Sequence, residues 1–129
     1  YFNIKPKIGV LGLNPHNFEL KKNSEETKII LPAIKILKKK MNISGPLSPD
    51  TVFLKKNIKK FNVIVGMYHD QVLSPFKTLY EFDAINITLG LPYIRISPDH
   101  GVAIDKMKLN ISNPRSLDNC IRIITKLNK

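Results

Sequence analysis

Three histidines occupy comparable places in this chain. His16, His69 and His100 each follow an apolar, strand-like run and each lies beside Gly, Pro or Asp. Taken singly, a histidine so placed is more often a loop residue than a ligand. Three together point to one place, because the strand ends of an α/β sheet converge where ligands bind. Neutral imidazole suits zinc-like metals, and a catalytic metal takes three protein ligands while keeping one position open. The spacing is long-range, unlike the local H-E-x-x-H pattern. Asp50, in "SPDT", either stabilises a turn or serves as an acidic partner. Asp70 directly follows His69, where it either orients a ligating imidazole or moves a proton.

A second set is Lys77, Asn86 and Arg95. A lysine, an amide and an arginine together suit an anionic, phosphorylated ligand. For Arg95, between isoleucines in "YIRIS", the plain alternative is the solvent face of an alternating strand. Asn86 lies in the strand-like "AINIT", where asparagine is unfavourable and a buried amide needs partners. The chain has no P-loop and no G-x-G-x-x-G, so a nucleotide must bind through another arrangement.

The elements that must position these residues can be read from the pattern. Lys7 to Leu13 forms a short buried strand that stops at the breaker Asn14-Pro15. A helix begins near Ser24, with Asn23 as its cap and Glu26 in the reciprocal position. Its acidic start and its tail at Lys38 to Lys40 suit the helix dipole. Ile29, Ile30, Ala33, Ile34 and Leu37 repeat at helical spacing, and Pro32 kinks the helix or marks its true start. "SGPLSPDTVF" reads as a loop, followed by a short helical turn through Lys60. "FNVIVGM", uncharged and rich in β-branched residues, reads as a buried strand. "YHDQVLSPF" starts a helix that Pro75 interrupts. "AINITLG" and "YIRIS" are two further strands. Asn113-Pro114 supplies an N-cap and a proline at the first helical position. The final helix then buries Leu117, Cys120, Ile121, Ile124 and Leu127. Apolar strands alternating with helices give an α/β fold.

The 129 residues fit one core. The single cysteine excludes an internal disulfide, and the periodic pattern around it makes Cys120 a core residue. No apolar run is long enough to span a membrane and no signal-peptide pattern is present, which suits a cytoplasmic protein. The net charge of +11 raises the question of nucleic acid. Its lysines, however, cluster at helix tails and turns (Lys38–Lys40, Lys55-Lys56, Lys59-Lys60) without interleaved aromatics, and arginines are few. Abundant lysine, isoleucine and asparagine together also follow from an AT-rich coding sequence. A non-catalytic basic module stands as the alternative of another class. The chain begins at Tyr1 and enters "KPKIGVLGL" almost at once, as a piece of a longer protein would.

"GLNPH" (Gly12–His16), "GPLSPDTVF" (Gly45–Phe53), "MYHDQ" (Met67–Gln71) and "NITLGLPYIRISPDHG" (Asn86–Gly101) occur in this order and spacing. Together they closely resemble the C-terminal part of the 4-hydroxythreonine-4-phosphate dehydrogenase family of vitamin B6 biosynthesis. The resemblance covers essentially the whole chain. It implies an isocitrate/isopropylmalate-dehydrogenase-like fold of which only the C-terminal portion is present, about 1–76 from one lobe and 77–129 from the other. It implies an NAD- or NADP-dependent enzyme that needs a divalent metal (zinc, magnesium or cobalt). The reaction would oxidise 4-phosphooxy-L-threonine to 2-amino-3-oxo-4-phosphooxybutanoate, which decarboxylates to 3-amino-2-oxopropyl phosphate. The same chemistry on D-threonate or D-erythronate 4-phosphate is the alternative. The enzyme would be a cytoplasmic homodimer with its active site at the subunit interface, and the isolated piece would be inactive.

Residue by residue, the resemblance makes His16 and His69 metal ligands and Lys77, Asn86 and Arg95 substrate-binding. Asp99 and His100 would lie on the cofactor side, and Asp70 is the catalytic candidate. The chain departs from the family after "NPH". There the family has a Gly-rich segment and this chain reads "NFELKKNSEE".

Overall fold

The computed structural model describes residues 5–16, 22–102, 104–106, 108, 109 and 111–127. The chain divides into two compact units between Pro75 and Phe76.

The first unit is built on a parallel three-stranded sheet of order β2-β1-β3, with β1 at Ile8–Leu11, β2 at Ile43–Leu47 and β3 at Val63–Val65. The central strand is the most apolar and the best covered: Leu11 is fully buried and Val10 nearly so. A helical segment crosses from β1 to β2. It opens with a π-turn, Glu26–Ile30, and continues as α1, Leu31–Leu37. Ile30 and Ile34 on that helix, Val10 on β1 and Ile43 on β2 form the core, with Ile8 and Met67 packed against it. Each such side chain contributes about 1.5–3 kcal/mol when buried.

Local chemistry explains the helix start. Ser24, and not Asn23, caps it: the Thr27 N–H donates to Ser24 Oγ at 3.3 Å. Glu26 does not reach back to close a capping box; it is buried, and its carboxylate turns to the loop after β1. Pro32 lies in the first turn of α1, where the regular α-helix begins, the second of the two expectations. It has no N–H to give and its ring crowds the carbonyl four residues back. The backbone widens just before it, and the Leu31 N–H bonds to Glu26 O, five residues away.

"SGPL", expected in a loop, is β2. It lies at a sheet edge, where a strand tolerates Pro46. Gly45 takes φ +148°, and a Cβ there would lie 2.4 Å from the Val10 carbonyl oxygen. The register between β1 and β2 shifts at this point, between Gly9 and Leu11. Two short helices, α2 (Pro49–Val52) and α3 (Lys55–Ile58), lead to β3. That strand is the other edge and is not buried: Val63 and Val65 are each 40% exposed. The lysines at 38–40, 55, 56, 59 and 60 are all exposed.

α4 runs His69–Tyr80 and continues through Pro75. The second unit adds a hairpin of β4 (Ile85–Thr88) and β5 (Arg95–Pro98), antiparallel, and α5 (Arg115–Leu127). α5 starts as the sequence implies: Asn113 Oδ1 accepts the Arg115 N–H at 3.0 Å, across Pro114. Its expected buried face is only partly so. Ser116 and Cys120 are buried, while Leu117, Ile121 and Ile124 are exposed. Burial pushes the Cys120 thiol upward in pKa, so it behaves as a small core residue. No helix among the described residues is long and apolar enough to cross a membrane.

Gly45 tests this sheet directly. Gly45→Ala strains a left-handed position and drives a methyl group into Val10. The expected loss is about 2–3 kcal/mol, seen as a lower midpoint in thermal or urea unfolding. An unchanged midpoint would contradict the β1–β2 register.

Candidate active site

In a parallel sheet all strands point the same way, so the loops leaving their C-terminal ends collect along one edge. Here β1 leads into Gly12–His16, β2 into Ser48–Asp50, and β3 into Gly66–Asp70. Two of the three histidines, with Asp50 and Asp70, therefore come just after the C-terminal ends of three adjacent strands. Among the described residues no group of three or more His, Cys, Asp and Glu side chains is close enough to hold a metal.

The loop carrying His16 is held from inside. Glu26 is 1% exposed, and its Oε1 accepts the Asn14 N–H at 2.8 Å. Asn14 Oδ1 in turn accepts the His16 N–H at 2.9 Å. The backbone hydrogen bond from Asn14 holds the Glu26 carboxyl below its ordinary pKa, against the opposing pull of burial. His16 itself is exposed.

The β3 end is held by Gln71, which is 7% exposed. Its Oε1 accepts the Met67 N–H and its Nε2 donates to Gly12 O, both at 2.8 Å. The Gly12 N–H donates to Leu47 O at 2.9 Å. Gly12, at the end of β1, is thus fixed to β2 on one side and to α4 on the other. Gly66 permits the close approach of α4, since a Cβ there would meet Val72 Cγ1 at 2.5 Å. His69 opens α4 and does not sit in a loop. Its Nδ1 lies 2.7 Å from Asp70 Oδ1, both side chains being exposed. An imidazole that gives its Nδ1–H to a carboxylate presents the Nε2 lone pair outward. Asp50 is exposed at the start of α2, where its Oδ1 accepts a hydrogen bond from the buried Ser48 hydroxyl.

The cationic set lies in the second unit. In the β4–β5 ladder Asn86 pairs with Ser97 and Thr88 with Arg95. Paired residues share a face and faces alternate, so Asn86 and Arg95 lie on the same side of the hairpin. Asn86 is exposed, so its amide needs no buried partner. Arg95 Nη1 donates to Thr88 Oγ1 at 2.9 Å. Lys77, on α4, forms an ion pair with Asp99 just after β5, Nζ to Oδ2 2.9 Å. His100 is exposed with Nδ1 3.2 Å from Gly101 O.

Sequence reasoning missed Gln71 and misread Glu26. A glutamine directly after "HD" on an otherwise solvated helix start was the signal for the first. For Glu26 the capping pattern competed with the true partner, which lies twelve residues back. Of the departure after "NPH", residues 17–26, the first five (17–21) lie outside the described residues.

The family model described as "Pyridoxal phosphate biosynthetic protein PdxA" matches residues 1–124. The 4-hydroxythreonine-4-phosphate dehydrogenase of Sulfurihydrogenibium sp. (strain YO3AOP1) is 52% identical over 114 residues, covering 87% of this chain and 35% of that protein. The D-threonate 4-phosphate dehydrogenase of Salmonella typhimurium is 48% identical over 104 residues, 79% of this chain and 32% of that one. The crystal structure of the Klebsiella pneumoniae 4-hydroxythreonine-4-phosphate dehydrogenase superposes with TM-score 0.75 at 38% identity, over 95% of this chain and 38% of that chain. The chain thus spans about a third of the length of the curated relatives it matches.

Gln71→Ala should leave Gly12 O and Met67 N–H without their partners. The expected cost is about 2–3 kcal/mol, with faster hydrogen exchange at the Met67 amide; unchanged protection there would refute the clamp. Glu26 predicts a pH effect of definite sign. Its folded pKa is depressed, so its stabilisation is full above the ordinary value of 4.5 and is lost as pH falls through the folded value. Unfolding midpoints should therefore fall more steeply in acid for the wild type than for Glu26→Gln.

Proposed function

Since the chain belongs to the family of the pyridoxal phosphate biosynthetic protein PdxA, we propose that it is part of an NAD(P)- and divalent-metal-dependent dehydrogenase acting on 4-phosphooxy-L-threonine. The observation that carries this reading is the sheet edge, where parallel strands set His16, Asp50 and the His69–Asp70 pair at neighbouring strand ends. The donor types fit a divalent metal: two imidazoles, one with its Nδ1 already engaged and its Nε2 outward, with carboxylates nearby. The described residues do not complete a ligand set, and the chain spans about a third of the length of the relatives it matches. A divalent metal held by His16 and His69 would supply Lewis-acid polarisation of a substrate hydroxyl, and a nicotinamide cofactor would supply the hydride acceptor.

The chain's own residues then have distinct tasks. His16 and His69 donate nitrogen lone pairs. Asp70 fixes the His69 tautomer. Lys77, Asn86 and Arg95 hold the phosphate and carboxylate of the substrate, so that the alcohol carbon is presented in one orientation. His100 belongs to the cofactor side. The product is a β-keto acid, which loses carbon dioxide to give 3-amino-2-oxopropyl phosphate. The whole protein works as a homodimer in the cytoplasm, with the site completed at the subunit interface.

A second reading changes only the substrate. Relatives named D-threonate 4-phosphate dehydrogenase are nearly as similar as those named for 4-hydroxythreonine 4-phosphate.

The test is reduction of NAD or NADP by the whole protein, with and without zinc, magnesium or cobalt, given each substrate in turn. Turnover of 4-phosphooxy-L-threonine is expected. His69→Ala should lower it by more than about a hundredfold and Asp70→Asn by about tenfold. Turnover of D-threonate 4-phosphate alone would move the assignment to the second reading. No metal-dependent turnover of either would reject both.

A further inference from the structure

The ion pair of Lys77 and Asp99 joins residues 22 positions apart and is held on both sides. Lys77 Nζ meets the Asp99 carboxylate at 2.9 Å and also donates to the Asp99 backbone carbonyl. Asp99 is in turn fixed from behind: its N–H donates to Ser116 Oγ at 3.0 Å, and the Ser116 hydroxyl donates to Ala84 O. Ser116 is 1% exposed, so this anchor is sealed inside the unit. The α5 start is further tied down by Arg115 Nε on Asp83 Oδ1 at 2.6 Å. The lysine and aspartate side chains are 36% and 21% exposed, less solvated than the surface pairs whose worth is small.

A lysine ammonium has three donors on a flexible four-carbon stem. Two of the three are taken up here by one rigidly held residue, Asp99, which fixes where the ammonium sits. We propose that Asp99 is a positioning residue: it fixes the Lys77 ammonium for the anionic group of the phosphorylated substrate and acts through that lysine, not on the cofactor. The inference rests on the dehydrogenase reading and specifies it. The order that Asp99 imposes on Lys77 is established before substrate arrives, so its removal should weaken substrate binding.

The test is a double-mutant cycle in the whole enzyme. Asp99→Asn should raise KM for the phosphorylated substrate about five- to tenfold and leave KM for the nicotinamide cofactor unchanged. In a Lys77→Met background Asp99→Asn should add nothing, whereas a general structural role would still show. Asp99→Glu, which keeps the carboxylate, should recover part of the loss. A rise in cofactor KM, a fall in substrate KM, or multiplicative effects of the two substitutions would overturn the proposal. A second readout is independent of turnover. Inorganic phosphate titrated against the protein should move the Lys77 side-chain NMR resonances, several-fold more weakly in Asp99→Asn. No movement at Lys77, or equal movement in both proteins, would overturn the proposal. Movement at Lys77 without any dehydrogenase turnover would uphold the pair while rejecting the reaction.

Discussion

The first unit depends on one residue's backbone. At Gly12 the central strand has ended, yet its N–H still bonds to Leu47 of β2 and its carbonyl receives the Gln71 amide from α4. A backbone carbonyl just past a strand end has no ladder partner, and leaving it buried and unpaired is costly. Gln71 answers that need and, with its other end, takes the Met67 N–H. A single amide thereby sets the spacing between the segments that carry His16 and His69. Glu26 does the equivalent for the loop beyond Gly12, through the Asn14 N–H. The exposed candidate histidines of this unit are thus each backed by a buried polar group.

The second unit uses the same logic with fewer apolar residues. Among the described residues only Ala84 and Cys120 are buried hydrophobics there, and the buried hydroxyl of Ser116 does the linking, joining the β4 approach, the β5 exit and the α5 start. Polar cross-links of this kind are directional where hydrophobic contact is not. A hairpin with one polar face can therefore hold Asn86 and Arg95 in a fixed relation without a deep core beneath them.

Much of this was legible in the residues, for reasons that can be named. β1, β4, β5 and the Asn113-Pro114 start of α5 declared themselves through apolar runs and a cap that acts within three residues. The α/β class came from their alternation. β2 was hidden because Gly45 and Pro46 are turn residues by local propensity, and only an edge position with a neighbouring carbonyl at close range makes them strand residues. The exposure of Val63, Val65, Leu117 and Ile121 was equally invisible, since periodicity reports which residues are apolar and not what covers them. The candidate histidines were visible from their placement. The groups that steady them, Gln71 and Glu26, act over 59 and 12 residues, a range no local pattern reports.

The π-turn before Pro32 has a geometric consequence. The buried positions of that segment are Glu26, Ile30 and Ile34, each four residues apart. In a pure α-helix a step of four overshoots a full circle by about 40°, so the first and last of three would drift well apart around the axis. A wider turn, closed by bonds across five residues, undershoots instead. The two errors cancel, and an acid and two isoleucines come into a single line along the helix. Removing one residue from this turn would rotate everything before it by about 100°, swinging the carboxylate out toward water and away from the chain it holds.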